Sequence, residues 1–263
     1  MRKTFLSIAV AAAAIVAVAG PARAITHGEL DGDGHPYVGL MVAQDEVGEV
    51  LWRCTGTLIT EDLFLTAGHC TEDPAFHVEI WFDADVQSGI PGNGYPTIGD
   101  VGGTPYTHPE YDPDAFFLFD LGMVVLDRPY PMKEYGELPE LDQLDALKTR
   151  RGRQNVTFTA VGYGLQRINP VFVEAERVRM VAHPKLNQIN TPGFTGDFSL
   201  LLSNNASTGG TCFGDSGGPN FLGDTNVIAG VTSFGLNGSC GGTGGVYRID
   251  RADDLGWIAT FIN

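Results

Sequence analysis

The sequence predicts an all-β protein, and its strand composition and turn signals carry this prediction. Thirty-five glycines and fifteen prolines divide the 263 residues into short segments. Several segments are rich in β-branched and aromatic residues, which favours strands. They read VGLMVA, CTGTLIT, LFLTAG, HVEIWF, LGMVVL, VTFTAVGYG, VIAGVTSFG and GGVYRI. Turn clusters such as PGNG and GTGG separate them, a pattern typical of a β-sandwich or barrel.

Two stretches depart from the strand pattern. The end of the chain reads RADDLGWIATFI, where Leu255, Ile258, Ala259 and Ile262 recur at helical spacing and predict a terminal helix. Residues 127–153 are polar, charged and proline-bearing. This second stretch is interpreted as the connection between two β units.

The first 24 residues have the three parts of a secretory signal. A basic head at Met1–Lys3 precedes an apolar run from Phe5 to Ala19, and small residues then lead to a cut after Ala24. The run is shorter than the roughly 20 residues that span a bilayer, although an N-terminal anchor and a cut after Ala19 stay open as alternatives. The sequence therefore predicts residues 1–24 as a signal peptide and the product as secreted, with no membrane segment after cleavage.

The charge balance argues against polyanionic partners. The chain has 16 basic against 32 acidic residues and a formal net charge of −16. Such a charge opposes binding to nucleic acid and to anionic membranes. The single basic cluster is interpreted as a solvated loop, and it consists of Lys148, Arg150, Arg151 and Arg153.

The four cysteines allow three pairings. Export favours disulfides over free thiols or a metal site. Near-neighbour pairing puts one bridge in each half of the chain, Cys54 with Cys70 and Cys212 with Cys240. The alternative, zinc bound by His69, Cys70 and His77, has a spacing that matches no common site, so no metal is expected.

The most informative stretch is TCFGDSGGPN at 211–220, because glycines flank Ser216. Glycines let a substrate carbonyl approach backbone N–H groups closely. The same letters match the G-x-S-x-G elbow of α/β-hydrolases, in which the catalytic histidine follows the serine. Here the last histidine is His183, so an exported esterase on that fold is disfavoured.

A base and an orienting acid lie upstream of the serine. LTAGHC supplies His69 after an apolar strand, and FLFDLGMVVL supplies Asp120 inside an apolar run. An isolated carboxylate in such a run is unfavourable unless it is paired. The order His69, Asp120, Ser216 is that of the chymotrypsin-type triad.

With these motifs in place, the chain from 25 to 263 resembles the secreted serine proteases of the chymotrypsin (trypsin-like) family. TAGHC, DLGMVVL, GDSGGP, TSFG and GGVYRI occur in family order. The resemblance implies two six-stranded antiparallel β-barrels, an N-terminal one at 25–135 and a C-terminal one at 136–263 that includes the terminal helix. His69 and Asp120 then belong to the first barrel and Ser216 to the second.

The resemblance also implies the roles of the site residues. Ser216 is the nucleophile, His69 the base and Asp120 the group that orients it, with Ser233 beside the aspartate. The N–H groups of Gly214 and Ser216 form the oxyanion hole. No organic cofactor or metal is implied.

In this family, cleavage that exposes an N-terminal Ile or Val activates the enzyme. The resemblance therefore explains why Ile25 directly follows the predicted signal peptide. The ammonium of Ile25 is expected to pair with Asp215, since a buried ammonium and a buried carboxylate are each unfavourable alone. ITHG departs from the usual IVGG at Thr26 and His27. Because Ala24 precedes Ile25, export and activation are expected to be one cleavage.

The specificity pocket follows by the same matching. Its floor falls at Gly210 with Thr211 beside it, and its walls are at Ser233, Phe234, Gly235 and Gly245. None of these residues is charged, so cleavage after Lys or Arg is disfavoured. Gly235 and Gly245 leave room for a large apolar group, which predicts cleavage after Phe, Tyr, Leu or Met. Phe213 or the loop 236–243 would shift this preference if either narrows the site.

The rival within the family is a catalytically silent member that acts as a binding protein. The complete triad and oxyanion-hole glycine favour the enzyme. Its expected partners are protein or peptide substrates and proteinaceous inhibitors, and the protein is expected to be a monomer. Two cysteine pairs and an alanine-rich leader favour a bacterial source.

Overall fold

The computed structural model describes residues 25–148, 155–169 and 172–262. The predicted signal peptide at 1–24 and the arginines of the basic cluster lie outside this range. Sixteen strands and two α-helices occupy the described residues, which confirms the all-β class. In chain order the strands are β1 (Glu29–Leu30), β2 (Val38–Gln44), β3 (Val50–Leu58), β4 (Leu63–Thr66), β5 (His77–Trp81), β6 (Val101–Thr107), β7 (Gly122–Leu126), β8 (Phe158–Gly162), β9 (Arg167–Asn169), β10 (Phe172–Glu174), β11 (Met180–Ala182), β12 (Leu186–Thr191), β13 (Gly196–Asn204), β14 (Pro219–Leu222), β15 (Ile228–Gly235) and β16 (Gly242–Arg248).

The first six long strands close into a barrel in the order β2-β3-β4-β7-β6-β5, with every neighbour antiparallel. Strand β2 is buried along its whole length, which fits its continuous apolar sequence VGLMVA. Because both ends of the barrel sheet pair with each other, no strand edge is left open.

The second half of the chain forms an eight-stranded sheet in the order β1-β11-β8-β14-β15-β16-β13-β12. β11 and β12 are consecutive pieces of one stretch of chain, and they pair with opposite neighbours, β8 and β13. An isolated bridge between Thr157 and Lys185 brings the start of β12 back beside β8. The second sheet thus curls until its β12 side approaches β8. A single bridge makes this contact, whereas a full pair of strands closes the first barrel.

One apolar core joins the two halves. Phe64 and Ile80 of the first barrel share a buried cluster with Phe221, Ile228 and Tyr247 of the second sheet. The N-terminal strand β1 pairs with β11, so the segment after Ile25 lies on the second sheet. The boundary between 135 and 136 stays a prediction.

Helix α1 (Val86–Gly89) is a single turn, whereas α2 (Ala252–Ile262) is the expected terminal helix. Ile258 is buried, but Ala259 and Ile262 are exposed, so the apolar face differs from the predicted spacing. Trp257 instead belongs to the packed face of the helix, and its ring lies edge-on against His108, at 5.0 Å between ring centroids. Within the described residues, no helix has the length and apolar character of a membrane span.

Two disulfides join Cys54 to Cys70 and Cys212 to Cys240, so the near-neighbour pairing is the one found. The first ties β3 to the turn that carries His69. The second ties the nucleophile loop to the loop between β15 and β16.

Candidate active site

His69 lies in a single 3₁₀ turn, Gly68–Cys70, directly after β4. The apolar strand brings the chain out of the barrel core, and the turn then points the imidazole toward the space between the two sheets. The His69 side chain is 25% exposed. Thr71 closes the turn by donating its hydroxyl to the Gly68 carbonyl, 3.0 Å away.

Asp120 is fully buried two residues before the start of β7 and accepts hydrogen bonds from His69 and Ser233. The His69 backbone N–H donates to Oδ1 at 2.9 Å, and His69 Nδ1 lies 3.0 Å from both carboxylate oxygens. The Ser233 hydroxyl donates to Oδ2 at 2.5 Å. A proton on Nδ1 satisfies this carboxylate and leaves Nε2 as the free acceptor of the ring.

The charges around His69 change its pKa. Burial alone lowers the pKa of the imidazole, but the charge and hydrogen bond of Asp120 and the charge of Glu72 raise it above its ordinary value. Desolvation disfavours the imidazolium, whereas a nearby carboxylate stabilises it, and here the carboxylates prevail.

Ser216 lies in the turn between β13 and β14 that contains the glycine-rich motif. Strand β3 of the first barrel holds this turn: the Thr55 N–H donates to the Ser216 carbonyl at 2.8 Å, and the Thr55 hydroxyl donates to the Gly214 carbonyl at 2.9 Å. Ser216 and His69 line the same cavity. Among the described residues, no hydrogen bond joins their side chains, as is common in free enzymes before substrate binds.

Some backbone N–H groups of this turn donate hydrogen bonds and others are left without an acceptor in the part of the chain that the structure describes. Asp215, Gly217 and Gly218 each donate to a backbone carbonyl, but the N–H groups of Gly214 and Ser216 have no acceptor within the described chain. Gly214 has φ +96°, a backbone conformation that side chains rarely adopt. The turn therefore presents two unused donors next to the serine hydroxyl.

Asp215 points the other way, into the second sheet, and is completely buried. Its carboxylate accepts from the N–H groups of Gly164 at 2.7 Å and Cys212 at 2.8 Å. Burial raises the pKa of Asp215 to about 7 despite these bonds and the charge of Arg53. A side-chain carbon at Gly164 would lie 2.4 Å from the carboxylate, so this glycine makes room for it.

The predicted partner of Asp215, Ile25, is also completely buried, packed with Met180 and Ala182. Before cleavage the nitrogen of Ile25 is a peptide N–H that follows Ala24 in the sequence, and within the described residues no contact joins Ile25 to Asp215. Among the described residues no cation lies within ion-pair distance of the Asp215 carboxylate. Ile25 has φ +49°, which is strained for a β-branched residue.

Thr26, one of the two departures from the usual motif, has a defined contact. Its hydroxyl donates to Asn204 Oδ1 at 2.8 Å and lies 3.1 Å from the Gly210 carbonyl. Asn204 in turn donates to the Thr211 carbonyl at 2.7 Å. The buried Asn204 amide thus links the N-terminal segment to the expected pocket floor, a link that no local sequence motif signals.

The cavity beside Ser216 has a volume of about 590 Å³. Four of the expected pocket residues line it, namely Thr211, Ser233, Phe234 and Gly235. Gly210 and Gly245 are not among its lining residues. The Asn204 side chain occupies the space beside Gly210, because a side-chain carbon added at Gly210 would lie 2.3 Å from Asn204 Cγ.

Phe234 occupies the space that Gly245 leaves. A side-chain carbon at Gly245 would lie 2.3 Å from the Phe234 ring. The β15–β16 register shifts between Thr232 and Phe234, so that Phe234 stands opposite Gly245. This β-bulge lets Ser233 reach Asp120 while the next side chain turns over the glycine. The cavity lining also includes Phe213 and the loop residues Leu236, Asn237 and Gly238, all of which the sequence predicts only as features that could narrow the pocket.

His69 also lies close to sulfur. The His69 ring nitrogen and the sulfurs of Cys54 and Cys70 lie within 4.8 Å of one another. The two sulfurs are bonded to each other, so neither is a thiolate that could hold zinc.

Comparison with known proteins gives the family. The Trypsin family model matches residues 31–255. The chain is 26% identical to a collagenase of Hypoderma lineatum over 193 residues, covering 71% of this chain and 67% of that protein. It is 28% identical to a chymotrypsin of Phaedon cochleariae (86% of this chain, 77% of the relative). It is also 28% identical to a trypsin of Saccharopolyspora erythraea (81% and 87%).

Solved structures agree with this result at the level of the fold. The structure of HL collagenase superimposes with a TM-score of 0.70 at 22% identity, covering 90% of this chain and 98% of that one. Human heparin binding protein superimposes with a TM-score of 0.64 at 20% identity, covering 91% and 97%. The expected chymotrypsin-like architecture is confirmed, and the chain belongs to the trypsin family of chymotrypsin-like serine proteases.

Proposed function

We propose that this protein is a secreted serine endopeptidase in which His69, Asp120 and Ser216 are the catalytic residues. The observation that carries the proposal is the His69 imidazole, fixed by a fully buried Asp120 and facing the same cavity as Ser216. Protein and peptide substrates are its partners.

The reaction is acyl transfer. As the Ser216 hydroxyl oxygen attacks the peptide carbonyl carbon, its proton moves to His69 Nε2. The two unused N–H groups of Gly214 and Ser216 stabilise the oxyanion, and one such donor is typically worth about 3–4 kcal/mol. His69 then gives the proton to the leaving amine, and a water molecule activated by the same imidazole releases the acyl group.

Cleavage after Ala24 is part of the proposal, because two features favour a free terminus at Ile25. Within the described part of the chain, Arg53 acts on the buried Asp215 carboxylate only from beyond ion-pair distance, and an inserted ammonium would supply a direct partner. In addition, φ describes rotation relative to the preceding carbonyl, so removal of Ala24 removes the constraint behind the strained φ of Ile25. Export and activation then share one cut.

The cavity favours large apolar residues before the scissile bond. Phe213, Phe234 and Leu236 supply apolar surface, and none of the described residues that line the cavity is acidic. A lysine or arginine side chain would therefore be buried without a partner. Filling the cavity with an apolar side chain contributes about 1.5–3 kcal/mol.

A catalytically silent binding protein is the second candidate, since a heparin binding protein shares the fold. Heparin is a polyanion, and the net charge of −16 opposes such a ligand. The intact His69–Asp120 pair favours catalysis.

Cleavage-site profiling tests function and pocket together. Matched peptides with Phe, Ala or Arg before the scissile bond should be cleaved with kcat/KM highest for Phe, by roughly tenfold or more over the others. If Arg is preferred, the account of the pocket is wrong. If none of these peptides is cleaved, the endopeptidase proposal is wrong.

A further inference from the structure

Arg53 is a cation without a partner beside the nucleophile turn. It lies in β3, next to Cys54, and is partly buried. Its Nη2 and Nε are 3.1 Å and 3.3 Å from the point where a side-chain carbon of Gly214 would stand. Among the described residues, no hydrogen bond or ion pair engages its guanidinium. This is notable in a chain with twice as many acidic as basic residues.

The position of Arg53 relative to Ser216 indicates which part of a substrate it meets. The cavity lies on one flank of Ser216, and its lining includes neither Arg53 nor the Cys54–Cys70 disulfide. The sulfurs of that disulfide lie within 4.8 Å of a His69 ring nitrogen. A peptide whose acyl part fills the cavity has the rest of its length outside the cavity, where the disulfide and Arg53 are available to contact it.

We propose that Arg53 is a specificity-determining residue that selects acidic side chains at the first two positions after the scissile bond. The inference rests on the proposed endopeptidase function. A guanidinium offers a planar fork of donors that matches a carboxylate, and partial burial reduces the screening of its charge. An unpaired arginine gains a partner when such a substrate binds, without first breaking a bond in the free protein.

Arg53 also influences the catalytic turn, and this defines the competing explanation. Its charge opposes the effect of burial on the Asp215 carboxylate. A residue that only supports Gly214 and Asp215 would affect all substrates alike. A residue that reads the substrate would change the ratio between acidic and neutral substrates.

The test uses two peptides that differ only in carrying Glu-Glu or Gln-Gln directly after the scissile bond. The wild-type protein should prefer the Glu-Glu peptide by about tenfold in kcat/KM, and added salt should reduce this ratio. Arg53→Gln should bring the ratio near one, and Arg53→Lys should leave an intermediate ratio because it keeps the charge but loses the fork. Arg128→Gln, at an exposed arginine bonded to the Asp100 carbonyl, should leave the ratio unchanged.

The outcomes separate this inference from the proposed function. Equal kcat/KM for both peptides with the wild-type protein overturns the role of Arg53 but leaves the endopeptidase in place. A wild-type preference that Arg53→Gln preserves while lowering both rates also overturns it. If the wild-type protein cleaves neither peptide, the proposed function fails. Should Arg53→Gln not fold, the wild-type ratio and its salt dependence still decide.

Discussion

At the scale of single residues, the charge state of His69 decides whether the candidate site can act. The imidazole must be neutral to accept the Ser216 proton. Its partners Asp120 and Glu72 both favour the imidazolium and raise the pKa of His69. The same carboxylate that orients the base thus limits the pH range in which the base is available.

The acid limb of the kcat/KM profile should therefore have its midpoint above the ordinary histidine pKa of about 6.5. Activity falls as the pH drops through this midpoint, because His69 takes up a proton. Glu72→Gln removes one of the charges that raise the pKa of His69, so it should move the midpoint to lower pH. Glu46→Gln, at an exposed glutamate in another loop, is the matched control. A midpoint at or below 6.5, or equal shifts in both variants, would contradict this assignment.

At the scale of elements, the N-terminal segment and the nucleophile turn are coupled through buried polar groups. Thr26 bonds to Asn204, which bonds to Thr211 at the cavity. Asp215 occupies the neighbouring interior and holds the backbone of Cys212. A free Ile25 terminus would complete this arrangement by placing a positive charge near the carboxylate.

When a residue precedes Ile25, the buried Asp215 carboxylate should make the free energy of unfolding decrease as the pH rises. With a folded pKa of about 7 against 3.8 when unfolded, Asp215 stays protonated in the folded chain while the unfolded chain releases the proton. Stability is then lost as pH rises from about 4 to about 7, by at most about 4 kcal/mol. A chain with one glycine before Ile25 should show this loss relative to a chain that begins at Ile25.

Thermal unfolding in a Ser216→Ala background, which prevents self-cleavage, provides the measurement. Asp254, whose pKa burial also raises to about 7, contributes equally to both chains and cancels in the difference. Asp215→Asn in the extended chain should abolish the pH-dependent part of the difference. Parallel stability curves for the extended chain and the chain beginning at Ile25 would refute the pairing of Ile25 with Asp215.

At the scale of the whole molecule, long-range contacts position two halves that carry different parts of the site. Arg179, completely buried before β11, donates to the Val38 and Phe82 carbonyls of the first barrel and to Asp31 of the N-terminal segment. Tyr163 adds a hydroxyl bond to the Asp83 carbonyl. These contacts hold the half with His69 and Asp120 against the half with Ser216.

The sequence predicted the features that are local. The strands that surround the motifs, the terminal helix and the disulfide pairing follow from short patterns of apolar, glycine and cysteine residues. Eight of the sixteen described strands, β1, β6 and β9 to β14, are absent from the predicted set. In the longer ones, β6, β12 and β13, glycine, proline or polar residues interrupt the apolar pattern. The Phe234 ring over Gly245 and Asn204 behind Gly210 depend on strand register and on contacts distant in sequence, which no local pattern encodes.

The central claim, that Ser216 is an activated nucleophile, is tested most directly by labelling with a fluorophosphonate probe and mapping the adduct by mass spectrometry. The account predicts one adduct per chain, on the peptide that contains Ser216, in the protein that begins at Ile25. Ser239→Ala, at another serine close to the cavity, should label like the wild type, and Ser216→Ala should not label. A wild-type protein that is folded but unlabelled, or an adduct that persists in Ser216→Ala, would contradict the account.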